Sequence, residues 1–275
     1  MTYQKVYEEG VLQLTQADIA EAKLDARLLL EHVCGTNRND LLAHGDRKVT
    51  KQEYDKYADY IKRRACHIPL QYLTGVQEFM GLSFEVNEHV LIPRQDTEIL
   101  VEVVMKHLHD GMRILDVCTG SGCILLSLLR YSNDCVGVGV DISEKALAVA
   151  GRNRDSLGLC AEFRQSDLFE YVEGKYDIIV SNPPYIRTDV IDTLMAEVKE
   201  YEPYIALDGK EDGLFFYRKI IESAGEYLYK GGRIFFEIGY DQGRQVSELL
   251  AATGYREIEV VKDYAGLDRV VHALY

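Results

Sequence analysis

The chain has 275 residues, 47% hydrophobic and 28% charged, the profile of a soluble globular protein with room for one large domain or two ordinary ones. No apolar run reaches the roughly 18 residues a membrane span needs, and Met1-Thr2-Tyr3-Gln4-Lys5 lacks the apolar core of a signal peptide, so a cytoplasmic location is expected. Residues 1–75 carry 11 basic and 11 acidic side chains, so the whole net charge of −14 falls on residues 76–275, where a DNA-acting domain would show a basic footprint. This balance favours a protein or small-molecule substrate, with no stable nucleic-acid binding.

Cys34, Cys66, Cys118, Cys123, Cys135 and Cys160 form no Cys-x-x-Cys pair and have no His cluster nearby. No metal site is expected, and the thiols should be reduced and mostly buried.

Residues 1–75 read as a helical domain. Asp18 to Cys34 places Ile19, Ala22, Ala26, Leu29, Leu30 and Val33 at helical spacing, with Gly35 as a stop. Thr50 with Glu53 three residues on predicts a capping box. That helix carries Tyr54, Tyr57, Ala58 and Ile61 and ends in Lys62-Arg63-Arg64, cations suited to a solvated helix C-terminus. Residues 76–92 read as a β-hairpin linker, two short strands around a Gly turn within Glu78–Asn87.

From Pro93 to the end, strands and helices alternate. Strands are expected at Arg113–Val117, Val136–Val140, Ala161–Gln165, Tyr176–Ser181 and Arg233–Ile238, with two more near the C-terminus. Helices are expected at Gly122–Leu129, Ser143–Leu157, Gly213–Tyr229 and Gln242–Thr253. Repeated βα units predict an α/β fold, a doubly wound sheet with its ligand at the C-terminal strand ends.

Asp116-Val117-Cys118-Thr119-Gly120-Ser121-Gly122 lies between the first of these strands and its helix. Glycines there let the backbone approach a ligand, and the helix start offers free N–H groups. Asp141 ends the next strand, where a carboxylate can accept both hydroxyls of an adenosine ribose. Asp167, after the third strand, can accept from an adenine amino group, with Leu168 packed on the ring. A dinucleotide fingerprint would want glycines at 118, 120 and 123, and the chain has Cys118, Gly120 and Cys123. S-adenosyl-L-methionine has no pyrophosphate and does not need the third glycine. A bare strand-to-helix turn is the plainer explanation of the loop, but three aspartates at strand ends favour a ligand.

Asn182-Pro183-Pro184-Tyr185 follows the fourth strand, which in a doubly wound sheet commonly neighbours the first. A glutamine amide or an adenine amino nitrogen is a poor nucleophile because its lone pair is delocalised. The Asn182 oxygen and the Pro183 carbonyl can each accept one of its N–H bonds, while two prolines stiffen the backbone. Asn182, Pro183 and Tyr185 are the catalytic candidates, with Tyr185 stacking on the planar group. Pro184 completes the substrate-binding set, and Asn182 also serves the cofactor site. The motif alone does not separate adenine from glutamine.

The chain resembles the protein-(glutamine-N5) methyltransferases of class I peptide chain release factors, the HemK/PrmC family. The resemblance runs through Pro69-Leu70-Gln71-Tyr72-Leu73-Thr74-Gly75, Glu78-Phe79, Val90 to Glu98, Asp116 to Gly122, Ser181 to Ile186, Glu202-Pro203, Glu237-Ile238-Gly239 and Asp268-Arg269-Val270. It implies a seven-stranded Rossmann-like methyltransferase domain at 93–275 and a helical substrate-recognition domain at 1–75. It also implies S-adenosyl-L-methionine as cofactor, held at Cys118–Gly122, Asp141, Asp167 and Asn182, and transfer to the glutamine of a Gly-Gly-Gln loop. Three positions depart from the family pattern. Cys118 replaces a glycine, so its backbone should hold a conformation that a Cβ tolerates. Gln95 replaces a proline, and Asp208-Gly209-Lys210 replaces a Gly-Gly pair, both near the expected substrate rim. Pro93-Arg94 and Asp96-Thr97-Glu98 also read as an N-capped start for the helix carrying Ile99, Leu100, Val103 and Val104. Two alternatives stand beside this reading: an adenine-N6 DNA methyltransferase, disfavoured by charge, and a non-catalytic binding module on a degenerate fold, disfavoured by the intact loop, Asp141 and Asn182.

Overall fold

The computed structural model describes all 275 residues. They form two compact units, one of Met1–Val76 with Met195–Tyr201, the other of Gln77–Leu194 with Glu202–Tyr275. No helix is long and apolar enough to cross a membrane.

The first unit holds α1 (Tyr3–Gln16), α2 (Ala22–Cys34), α3 (Arg38–Ala43), α4 (Lys51–Ala65) and α5 (Leu70–Thr74). Tyr3, Val6, Leu14, Ala26, Leu29, Leu30, Tyr57 and Ile61 form its buried core. α2 starts four residues later than the periodicity suggests, because Asp18 sits at φ 55°, outside any right-handed helix. Gly35 ends it in the left-handed conformation, at φ 59°. The capping box at α4 is present: Thr50 Oγ1 accepts from the Glu53 amide, and Glu53 accepts from the Thr50 amide. The basic helix end needs correction. Lys62 and Arg63 are exposed, but Arg64 is 4% exposed and lies between two carboxylates. Its Nε donates to Asp25 at 2.7 Å, its Nη2 to Glu197 at 2.5 Å, and its Nη1 to the Ile68 carbonyl at 3.2 Å.

From Gln77 the second unit opens within a hairpin of β1 (Val76–Phe79, its first residue counted in the first unit) and β2 (Leu82–Glu85), turned through Met80 and Gly81. Phe79 and Phe84 are buried in the same apolar cluster as α6 (Gln95–Met105), so this hairpin is packed rather than free. The remaining elements follow in chain order: β3 (Arg113–Val117), α7 (Cys123–Arg130), β4 (Val136–Asp141), α8 (Glu144–Leu157), β5 (Glu162–Gln165), β6 (Tyr176–Ser181), α9 (Thr188–Ile191), α10 (Ala196–Tyr201, part of the first unit), α11 (Tyr204–Leu207), α12 (Phe215–Tyr227), β7 (Leu228–Glu237), α13 (Gly243–Ala252), β8 (Arg256–Lys262) and β9 (Asp268–Leu274). The three short helices α9 to α11 carry too few turns for a hydrophobic period to show in the sequence.

Seven strands form one sheet in the order β5-β4-β3-β6-β7-β9-β8, parallel up to β7 and antiparallel at β9 and β8. Two buried clusters cover it. One gathers α12 and α13 residues such as Tyr217, Ile220, Val246 and Leu250. The other gathers α6 and α7 residues such as Leu100, Val104, Leu125 and Leu128. The central strands are buried along nearly their whole length, as parallel strands between helices must be. The chain runs outward through β3, β4 and β5, then returns to place β6 on the other side of β3. That reversal opens a crevice at the C-terminal ends of β3 and β6.

α6 begins at Gln95, with Arg94 at the cap position but no side-chain hydrogen bond to the first-turn amides, so the expected N-cap is not formed. Gln95 is the exposed first helical residue and does not line the cleft described below. A proline there suits a helix start, where the N–H has no intrahelical partner. Its replacement therefore falls on helix initiation. Of the six cysteines, all free thiols, only Cys123 is fully buried, while Cys66 and Cys160 are exposed, against the expectation of mostly buried thiols.

The buried Arg64 generates a stability test. Arg64→Ala strips the partner from two carboxylates and should destabilise the first unit by about 3 kcal/mol. Lys62→Ala, on the exposed side, should stay within about 0.5 kcal/mol of the parent. Urea denaturation followed by circular dichroism checks both, and equal midpoints for the two variants would contradict the buried pairing.

Candidate active site

Register places the two central motifs together. β3 and β6 pair in parallel with Val117 opposite Ser181, so Cys118 and Asn182 leave the sheet side by side. Ser181 Oγ donates to the Val117 carbonyl at 2.6 Å, tying the strand ends together. Asp141 ends β4 on the other side of β3, and Asp167 follows β5.

These ends surround a cleft of about 1040 Å³, counting its open mouth. Cys118, Thr119, Gly120 and Ser121 form one part of its wall, Asp141, Ile142 and Ser143 a second, and Ser166, Asp167 and Leu168 a third. Asn182 and Pro184 face them, and Pro93, Arg94, Thr97, Pro203, Ile205, Ala206 and Phe216 complete the enclosure. The remaining expected site residues, Asp116, Gly122, Pro183 and Tyr185, are not among the residues that line it.

Gly120 and Gly122 adopt φ 54° and 79°, the left-handed turn that the loop requires. Cys118 shares that conformation at φ 63°. The expectation that its backbone would move to suit a Cβ is overturned: the loop keeps its shape, and the side chain accepts the strain. Leu168 likewise sits at φ 51°. Each such residue costs on the order of 1 kcal/mol or more, and both line the cleft.

Asp141 fastens the loop to the next strand. Its Oδ2 accepts from the Gly120 amide and its Oδ1 from the Ser143 amide, both at 2.9 Å. Burial raises its pKa, and these backbone donors oppose the rise. A carboxylate has about four acceptor positions, so two remain for a ligand diol. Asp116 is fully buried beneath the loop. Thr119 Oγ1 donates to its Oδ2 at 2.6 Å, and its Oδ1 has no protein partner. Burial pushes the Asp116 carboxyl up to about 7. Asp167 is exposed at the cleft edge, beside Leu168.

At the facing wall, Asn182 Nδ2 donates to Thr97 Oγ1 at 3.5 Å. No protein group donates to Asn182 Oδ1 or the Pro183 carbonyl. The prolines are buried. Tyr185 departs from the stacking role expected of it. Its hydroxyl donates to Glu237 Oε1 at 3.1 Å, and its ring packs against the apolar cluster of α12 and α13. It anchors the motif from behind.

Several supporting residues carry no local signal in the sequence. Asn153, on α8, donates to the Ser121 and Glu85 carbonyls and accepts from the Glu85 amide, joining the loop to the hairpin. Glu202 accepts from Arg94 and from the Ile92 amide, tying the 202–206 wall to the 92–94 wall. Asp208 is 5% exposed and accepts from Thr188 Oγ1 at 2.6 Å and from the Lys210 amide at 3.0 Å. The 207–210 segment exchanges backbone hydrogen bonds with Ile186 and Thr188. The Asp208-Gly209-Lys210 departure therefore clamps the chain just after Tyr185.

Two tests follow from this geometry. A Cβ on Gly209 would meet the Tyr185 backbone at 2.7 Å, so Gly209→Ala should destabilise by about 1–3 kcal/mol. Gly151→Ala, in the open on α8, should be neutral or stabilising. Thermal melts of both check this, and a neutral Gly209→Ala would contradict the close approach. For Asp116, the folded chain holds a proton between the ordinary value of 3.8 and about 7 that the unfolded chain has lost. Its contribution to stability therefore falls as pH rises through that window. The melting midpoint of Asp116→Asn relative to wild type should rise from about pH 4 to about pH 8. A pH-independent difference would mean that the carboxyl is not raised.

Comparison with known proteins agrees with this architecture. Residues 5–75 match the PrmC N-terminal domain, and residues 94–200 match the methyltransferase small domain. The release factor glutamine methyltransferase of Clostridium acetobutylicum is 44% identical over 257 residues, covering 91% of this chain and 90% of the relative. That of Agrobacterium fabrum is 41% identical over 267 residues, covering 94% and 92%. A methyltransferase structure from Pyrococcus furiosus superposes with TM-score 0.53 at 19% identity, over 70% of this chain and 89% of that one, and speaks to the fold alone. With such identity over nine-tenths of both partners, the chain belongs to the release factor glutamine methyltransferase family.

Proposed function

We propose that the chain methylates the side-chain amide nitrogen, N5, of the glutamine in the Gly-Gly-Gln motif of class I peptide chain release factors, with S-adenosyl-L-methionine as donor. The observation that carries this reading is the pairing of β3 with β6, which sets Asn182 beside the Gly-rich loop. Family membership supports the substrate. A substrate in the translation machinery also supports a cytoplasmic location.

The cleft fits this cofactor on its own chemistry. Its lining carries the carboxyl groups of Asp141 and Asp167 and one guanidinium, Arg94, which is already paired with Glu202. Such a lining suits a cationic ligand and would repel the pyrophosphate of a dinucleotide. When bound, S-adenosyl-L-methionine supplies a methyl carbon on a sulfonium sulfur, which leaves with the bonding electron pair. Cys118 to Gly122 would hold the cofactor's chain, Asp141 its ribose hydroxyls, and Asp167 with Leu168 its adenine. Asp116 Oδ1, buried and without a protein partner, is an acceptor beneath the loop.

The protein's work on the acceptor is positioning. Asn182 Oδ1 and the Pro183 carbonyl accept the two N–H bonds of the incoming amide, which raises electron density on nitrogen and fixes its direction. Once the new bond forms, the nitrogen is strongly acidic, and its surplus proton leaves to solvent along one of these hydrogen bonds. No base is needed before attack.

Purified release factor with labelled cofactor tests the assignment. One methyl should appear on the Gly-Gly-Gln glutamine, and Asn182→Ala should lower the rate by about 100-fold or more. No label on a competent release factor would reject the substrate. Salt-dependent DNA binding should be absent, given the net charge of −14.

A further inference from the structure

The acceptor motif is also held by a buried side chain from the turn between β7 and α13. Gln242 is 7% exposed, and each end of its amide has a backbone partner. Oε1 accepts from the Gly239 amide at 2.9 Å. Nε2 donates to the Tyr185 carbonyl at 3.0 Å and to the Gly213 carbonyl at 3.3 Å. A backbone N–H only donates and a backbone carbonyl only accepts, so these partners fix which end of the amide is nitrogen.

Three glycines make room for this amide. A Cβ on Gly213 would meet the Tyr185 carbonyl oxygen at 2.5 Å and Gln242 Nε2 at 2.7 Å. One on Gly209 would meet the Tyr185 backbone at 2.7 Å, and one on Gly239 would meet Gln242 Oε1 at 3.0 Å. Gly213 also holds φ 73°, which favours glycine. The partners belong to different parts of the site. Tyr185 follows Pro184, which lines the cleft, and Gly213 lies in the turn before α12, whose Phe216 lines it too. Gly239 follows β7, the neighbour of β6 in the sheet. One side chain therefore ties the Pro184 wall and the Phe216 wall to the end of the sheet. Gln242 itself does not line the cleft, so any effect on the reaction passes through these walls.

We propose that Gln242 is a positioning residue for the acceptor: by holding the Tyr185 carbonyl and the Gly213 turn together, it sets the gap between Pro184 and Phe216 that receives the substrate side chain. This rests on the proposed amide methylation. It gives a task to Gly239, in the Glu237-Ile238-Gly239 motif that the cofactor and acceptor contacts leave unused.

Gln242→Glu keeps the shape and makes the hold depend on pH. As a carboxylate it sets an oxygen against two carbonyls. As an acid it has one O–H to donate and restores one of the two bonds. Burial and the two carbonyls both favour the acid. Relative to wild type at the same pH, kcat with release factor should fall on the order of 10- to 100-fold at about pH 8.5 and recover to within roughly 3-fold at about pH 6. Gln242→Met, with neither donor nor charge, should lose on the order of 10-fold at both. Affinity for S-adenosylhomocysteine by calorimetry should be unchanged in both variants. Rates are read where circular dichroism shows each variant folded, and Gln242→Met carries the test if Gln242→Glu does not fold. Full kcat in either variant at the higher pH, a Gln242→Glu loss that does not change with pH, or a matching loss of S-adenosylhomocysteine affinity overturns the proposal. A second measurement needs no turnover. The carbon-13 carboxyl signal present in Gln242→Glu and absent in wild type should titrate well above the ordinary carboxylate range, and ordinary titration overturns the proposal. A wild-type protein without methylation would count against the proposed function alone, and this titration would still decide whether the side chain faces the two carbonyls.

Discussion

The parallel pairing of β3 with β6 is the constraint on which the site depends. Four consecutive register pairs, from Ile114 with Ile178 to Val117 with Ser181, bring two segments more than sixty residues apart to the same depth in the sheet. Because side chains alternate across a strand, a slip of one residue would exchange the faces that Asp116 and Val117 occupy and shift the loop relative to Asn182. The register is held by burial on both faces and by the Ser181–Val117 hydrogen bond. Cofactor loop and acceptor motif therefore share one rigid origin.

Around that origin the cleft holds conformations that are unfavourable by themselves. Cys118 and Leu168 carry positive φ angles, and Asp116 is a carboxyl with no solvent contact. Such features persist only where the surroundings over-determine them. Here the surroundings are hydrogen bonds from neighbouring elements: Asp141 to the Gly120 amide, Asn153 to the Ser121 carbonyl, Glu237 to Tyr185, and the 207–210 segment to Ile186 and Thr188. Most of these partners are buried or partly buried. Asn182 Oδ1 and the Pro183 carbonyl are left without a protein donor.

Much of this was legible in the sequence because it is local. Apolar runs marked the strands, the Thr50–Glu53 spacing marked a cap, and the Gly-rich loop with Asn182-Pro183-Pro184-Tyr185 marked the two halves of the site. Where the reading went astray, a side chain's partner lay far along the chain. Arg64 looked like a solvated helix end because Glu197, 133 residues away, is invisible from its own helix. Tyr185 looked like a stacking ring because Glu237, 52 residues on, claims its hydroxyl. Asp208 gave no local sign that Thr188, 20 residues before it, donates to its carboxylate.

By itself, the sequence determined which residue types are available and how each short segment folds, since periodicity, caps and glycine turns act within a few residues. It also specified the chemistry: an acidic pocket and a stiff pair of acceptors for a planar nitrogen. Only the tertiary structure decided which acceptors face the cleft and which face the core. Hydrogen bonds are made between groups that meet only after folding, as Asn182 meets Thr97 and Tyr185 meets Glu237. A chain read along its length holds the donors and acceptors but not their pairing.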